Sequence, residues 1–139
     1  MDRIDQVTKD CFNAIIQLKQ LDPAAQPPPE ALYQRLRSFV DAMAHRAQEA
    51  GYNQEDVRDI TYAVVALIDE VALASPGAVR NYWISRPLQL HYFNENVAGD
   101  NFFYRLEQLR QDPRKLDVLR VFFLCLALGF QGRYRVRGG

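Results

Sequence analysis

The chain has 139 residues, 48% of them hydrophobic and 24% charged, so it can build a packed core and is not disordered throughout. Its 17 basic and 17 acidic side chains cancel, which excludes a dedicated nucleic-acid binder that must offset phosphate charge. The balance is uneven: residues 1–100 carry 9 basic and 14 acidic groups, net −5, and residues 101–139 carry 8 and 3, net +5.

The length fits one domain or two small subdomains. Cys11 and Cys125 both lie in apolar helical patterns, as expected of buried thiols in a reducing compartment. The charged N-terminus lacks the apolar core of a signal peptide. The longest apolar run, Val121 to Phe130, is 10 residues, too short for a bilayer and suited to a buried helix. The chain as it stands is expected to be soluble.

Ile4, Val7, Cys11, Ile15 and Leu18 recur at steps of three and four, predicting a helix from about Asp2 to Leu21. Asp22-Pro23 ends it, and Gln26-Pro27-Pro28-Pro29 is a stiff connector. A second helix starts near Glu30, with Leu32, Leu36, Phe39, Val40, Met43 and Ala47 inward and Gly51 as its stop. Asn53 caps a third, with Glu55 and Asp56 in the first turn and Val57, Ile60, Val64, Leu67, Ile68 and Val71 as its stripe.

Ser75-Pro76-Gly77 breaks the third helix, and a short helical turn follows around Val79 to Ile84, before Pro87 and the aromatic pair Tyr92-Phe93. Asp100 is placed as the cap of a helix carrying Phe102, Phe103, Leu106 and Leu109. Asp112-Pro113 opens a last helix, from about Arg114 to Leu128, stopped at Gly129. Period-two alternation never persists, so the expected fold is all-α: a helical bundle over about residues 1–75 and a second, smaller group over about 78–136.

Asp69-Glu70 is an acidic pair late in an apolar helix, where charge is costly without partners. Neighbours on a helix point about 100° apart, so the two acids do not share one substrate. One is expected to face solvent and the other to bind an arginine or backbone N–H groups, in a structural or partner-binding role rather than a catalytic one. His91 and Glu95 would share a helical face, but two ligands do not make a zinc site, and His45 stands alone. Neither a phosphate-binding glycine loop nor a hydrolase motif is present. Trp83, Tyr92, Phe93, Phe102, Phe103 and Phe122 read first as core, some of them as a groove lining. Arg133, Arg135 and Arg137 read as a solvated face or a juxtamembrane basic segment.

Three segments stand out in order and spacing. They are Ala66-Leu67-Ile68-Asp69-Glu70; the stretch from Trp83 through Leu88 and Phe93-Asn94 to Gly99, Phe102-Phe103 and Leu106; and the run from Leu124 to Tyr134. Together they resemble the DotU/TssL family, the C-tail-anchored inner-membrane subunits of type VI and related type IVB secretion systems. The resemblance spans about residues 5–136, leans to type VI, and is most specific in its last segment. Gln131 stands where the family often has Glu. Family members continue into more helix and a single membrane span, whereas this sequence stops at Gly138-Gly139, so the anchor is expected to lie outside the chain.

The resemblance implies two small three-helix bundles with short extra helices, facing the cytoplasm. It implies a scaffold without catalysis or cofactor, joined to a TssM/IcmF-type inner-membrane protein and an outer-membrane lipoprotein, that recruits baseplate proteins. It places Asp69, Glu70, Trp83, Phe93 and Asn94 at a partner-binding groove, with the loop after Ser75 as a second surface. Gly99, Phe102, Phe103, Leu126, Gly129, Phe130, Gly132, Arg133 and Tyr134 become motif residues that shape the fold. Self-association stays open. The rival readings are a free helical adaptor and a small metallohydrolase using Glu70, His91 and Glu95.

Overall fold

A computed structural model of the chain describes residues 2–96 and 98–134. Arg135 and Arg137, two of the three tail arginines, lie outside the described residues. Among the described residues the structure is all-helical, without strands: α1 (Arg3–Lys19), α2 (Pro29–Glu49), α3 (Gln54–Ala74), α4 (Ala78–Ile84), α5 (Leu88–Phe93), α6 (Ala98–Arg110) and α7 (Leu116–Ala127).

The helix α3 is the centre. Every residue from Ile60 to Asp69 is buried, so this helix is covered all round rather than along one stripe. The reason is its neighbours. α1, α2 and α3 pack on one another, and α3 packs again with α6 and α7, so the two three-helix groups share it. Ala63 and Ala66 let helices approach closely, and the Cys125 thiol of α7 reaches the Ala63 carbonyl at 3.5 Å. The short helices α4 and α5 close over the C-terminal half of α3, and α4 also touches α2. Trp83, Phe102 and Phe122 are fully buried in this second group. Truncating any of them to alanine is expected to cost about 3–5 kcal/mol.

Local chemistry sets most boundaries. The Asn53 side chain accepts the Asp56 N–H at 2.8 Å and caps α3. Gly51, at φ +96°, turns the chain out of α2, and the Tyr52 N–H returns to the Ala47 carbonyl at 3.1 Å.

Three expectations are corrected. Asp100 does not cap a helix: α6 begins at Ala98 and Asp100 sits in its first turn. The last α-helix begins at Leu116 rather than Arg114, because Asp112 caps a 3₁₀ turn, Pro113–Lys115, that precedes it. His91 and Glu95 do not share a helical face, since α5 ends at Phe93 and Asn94 takes the left-handed conformation at φ 54°.

Candidate docking groove

The acidic pair lies in the last turns of α3, and its two carboxylates hold two different pieces of chain. Asp69 points inward and is 1% exposed. Its Oδ1 accepts the Trp83 indole N–H at 3.0 Å and the Leu88 N–H at 2.7 Å. Its Oδ2 accepts the Gln89 backbone N–H at 2.9 Å and the Gln89 side-chain amide at 3.2 Å. Leu88 and Gln89 open α5, and the residue before them, Pro87, has no side chain that can cap. Asp69 therefore caps α5 from another helix. Burial pushes its carboxyl up to about 6, although the four donors pull the other way.

Gln89 carries the network one step further. Its Oε1 accepts the Ala98 N–H at the start of α6, 2.9 Å away. One buried carboxylate on α3 thus orders α4, the start of α5 and, through Gln89, the start of α6.

Glu70, half-buried, faces the other way. Its Oε2 and Oε1 accept the backbone N–H groups of Gln131 and Gly132 at 2.9 and 2.7 Å, fixing the segment after α7. That segment crosses the first turn of α6. A Cβ on Gly132 would meet the Gly99 carbonyl oxygen at 2.6 Å and the rings of Phe103 and Phe130 at 3.0 Å, and its φ is +52°. Glycine is demanded there on both counts. Beneath it Phe130 stacks on Phe102 at 4.2 Å, and Tyr134 meets Phe103 edge-on at 4.8 Å. Arg133 lies over the Phe103 and Tyr134 rings at 5.5 and 5.0 Å. At the other end of the turn Gly129 has φ +106°, and the Lys19 ammonium donates to the Leu128 carbonyl, tying α1 to the end of α7. Leu126 is half-buried on α7.

Between these walls is an open cleft of about 280 Å³, lined by Ala66, Asp69, Glu70, Leu73, Gln89 and Phe130 among others. A neighbouring concavity of about 420 Å³, lined by Leu18, Leu21, Val71, Ser75 and Leu128, shares Glu70 and Ala74 with it. The pair forms one groove along the end of α3 with Glu70 on its ridge.

The structure does not bring every expected groove residue to this place. Trp83 is fully buried, with its ring against Tyr33 at 5.0 Å and its N–H on Asp69, so it buttresses the wall instead of facing a partner. Phe93 and Asn94 are at the far end of α5; the Phe93 ring meets Tyr62 at 5.2 Å and the Arg58 guanidinium at 5.1 Å. The sequence reading missed Gln89, whose only sign is a polar side chain just after Pro87. Glu70, His91 and Glu95 do not assemble, and among the described residues no group of three or more His, Cys, Asp or Glu is placed to hold a metal ion. Also among the described residues, no helix is long and apolar enough to cross a membrane.

The family described as "Type VI secretion system protein DotU" matches residues 3–139. The chain belongs to the DotU family. The DotU assignment agrees with two solved structures. The cytoplasmic domain of TssL from Acinetobacter baumannii is similar with 32% identity and a TM-score of 0.86, covering 99% of this chain and 88% of that one. SciP/TssL of the type VI secretion system of enteroaggregative Escherichia coli 042 is similar with 30% identity and a TM-score of 0.81, covering 99% and 79%. Among curated protein sequences none matches.

Proposed function

We propose that this DotU-family chain is a non-catalytic docking subunit of a type VI secretion membrane complex, working at the cytoplasmic face of the inner membrane. In this reading the groove at the end of α3 receives a segment of a baseplate protein, and the domain also contacts a TssM/IcmF-type partner. In the same reading the two helical groups, which share α3, act as packing units with the groove at the C-terminal end of that helix.

The supporting observation is the division of labour between Asp69 and Glu70. Together they fix α5, α6 and the segment after α7 around an open cleft of about 280 Å³. A preorganised concave surface loses little entropy when a partner binds. Asp69 itself has no spare exposure and acts by holding the wall. Glu70 spends one lone pair of each oxygen on the backbone and keeps others for a partner's cation.

The test is capture of the baseplate proteins and of the cytoplasmic part of the TssM/IcmF-type protein from the same genome. Ala74 is exposed, ends α3 and lines both halves of the groove. Ala74→Trp fills the groove while leaving in place every residue that makes the carboxylate hydrogen bonds. Loss of baseplate capture with helicity retained supports the reading; undiminished capture removes the groove from it.

A further inference from the structure

Three helices end at the larger half of the groove. Its concavity of about 420 Å³ is lined by Leu18 and Lys19 from the last turn of α1, Val71 and Ala74 from the last turn of α3, and Leu128 and Gly129 just past α7. Each helix carries about half a negative elementary charge at that end, from carbonyls that have no partner within the helix. Ser75 answers two of those of α3: its N–H donates to the Ala72 carbonyl at 3.1 Å and its hydroxyl to the Val71 carbonyl at 3.0 Å. Pro76, which follows, has no N–H to add.

Basic side chains suit such an end and acidic ones oppose it. Yet α3 and α7 have no basic residue in the last turn, and α3 places Asp69 and Glu70 close to its end. Glu70 is met there only by uncharged donors, the N–H groups of Gln131 and Gly132. Lys19 is the one cation among the described residues that line either half, and its ammonium is engaged by the Leu128 carbonyl. Arg133, next in the chain to Gly132, lies over the Phe103 and Tyr134 rings instead. The smaller half differs, because the starts of α5 and α6 come up to Asp69 and Gln89 there and offset the acid. The larger half keeps a negative potential that no free cation of its own lining answers.

We propose that this half receives a basic side chain, lysine or arginine, from an amphipathic segment of the partner. Its charge sits between Glu70 and the ends of α1, α3 and α7, and its apolar neighbours rest on the partly buried Leu21, Val71, Leu73 and Leu128. The inference rests on the reading of this groove as the docking site and adds what the occupant presents. The sign of the potential excludes an acidic segment. Lys19 shows the same chemistry inside the chain, an ammonium on the carbonyl that ends α7. The apolar walls select a protein segment over a free ion, since a hydrated ion gains nothing from them.

The test is a titration of the ¹⁵N-labelled 139-residue chain with two amphipathic helical peptides. Both carry leucines along one face, and they differ only in having a lysine or a glutamine among the leucines. The lysine peptide should give saturable shifts at the amides of Ala74, Gly129 and Gln131, and the glutamine peptide should bind about tenfold more weakly. Gln26 lines the concavity from the connector after α1, so Gln26→Lys supplies the missing cation. It should weaken the lysine peptide several-fold and leave the glutamine peptide unchanged. Glu70→Gln should also narrow the gap between the two peptides. Loosening of the segment after α7 would not do so, because it affects both alike. Equal affinity of the two peptides overturns the basic occupant, as does the absence of saturable shifts with the lysine peptide. An equal response to ethylammonium chloride overturns the protein segment. None of these outcomes touches baseplate capture by Ala74→Trp, which decides the docking reading separately.

Discussion

Asp69 and Glu70 are chain neighbours whose carboxylates hold opposite walls of one cleft: the first takes the N–H groups that open α5, the second those of Gln131 and Gly132 beyond α7. The 100° step between adjacent helical residues makes this possible, since it turns one carboxylate into the core and the other toward the groove.

Removing the inner carboxylate should be the costliest single change at this site. Asp69→Ala leaves four buried N–H donors without an acceptor. The expected loss is about 3–5 kcal/mol. Asp69→Asn should lose less, in the same direction, because one oxygen remains while its amide faces N–H donors. Urea denaturation of the three proteins measures both.

The same residue sets a pH dependence. Its folded-state pKa, about 6, lies above the ordinary aspartate value, because burial disfavours the anion. A raised pKa means that the folded state takes up the proton first. Asp69 should therefore add stability as pH falls through about 6, with the gain complete below the unfolded value near 4, and lose it again as pH rises. Other carboxylates titrate in the same window, so the checkable quantity is the difference between wild type and Asp69→Asn. That difference should narrow above pH 6.

Two glycines that face one another should respond oppositely to alanine. At Gly132 the new Cβ would sit 2.6 Å from the Gly99 carbonyl at a positive φ, so Gly132→Ala should cost about 2 kcal/mol or more and free the segment after α7. At Gly99 the new Cβ meets nothing closer than 3.7 Å, and the site is helical. Gly99→Ala should be neutral or stabilising by about 0.5–1 kcal/mol. Thermal melts of both variants decide it.

Glu70→Gln keeps one acceptor oxygen and presents an amide N–H₂ to the other backbone N–H. Amide exchange at Gln131 or Gly132 should accelerate, while the amides of α1 and α2 stay protected and overall stability falls by about 1–2 kcal/mol.

Much of the fold is legible in the chain because its signals are local. The stripes of α1 and α2, the Asn53 cap and the Gly51 stop each need only a few consecutive residues. What escapes is chemistry that crosses the molecule. α5 is capped by Asp69, 19 positions from Leu88, and the start of α6 at Ala98 is met by Gln89 rather than by the nearby Asp100. The third helix shows one stripe in the sequence because the second set of neighbours, α6 and α7, is distant in the chain. The acidic pair itself was visible, as was the alternative that one acid binds backbone N–H groups; in the structure both do. The misplaced groove residues, Trp83, Phe93 and Asn94, follow from proximity in sequence to the pair's partners, which short helices pointing different ways do not preserve.

A partner seated in the proposed groove at the end of α3 would shield the backbone around it. The most direct measurement is an amide-exchange footprint of the chain with and without the baseplate protein captured from the same genome. An occupied groove gives new protection concentrated at Leu73, Ala74, Gln131 and Gly132, and that protection is lost in Ala74→Trp. Protection confined to other surfaces, with these four positions unchanged in a saturated complex, would contradict it.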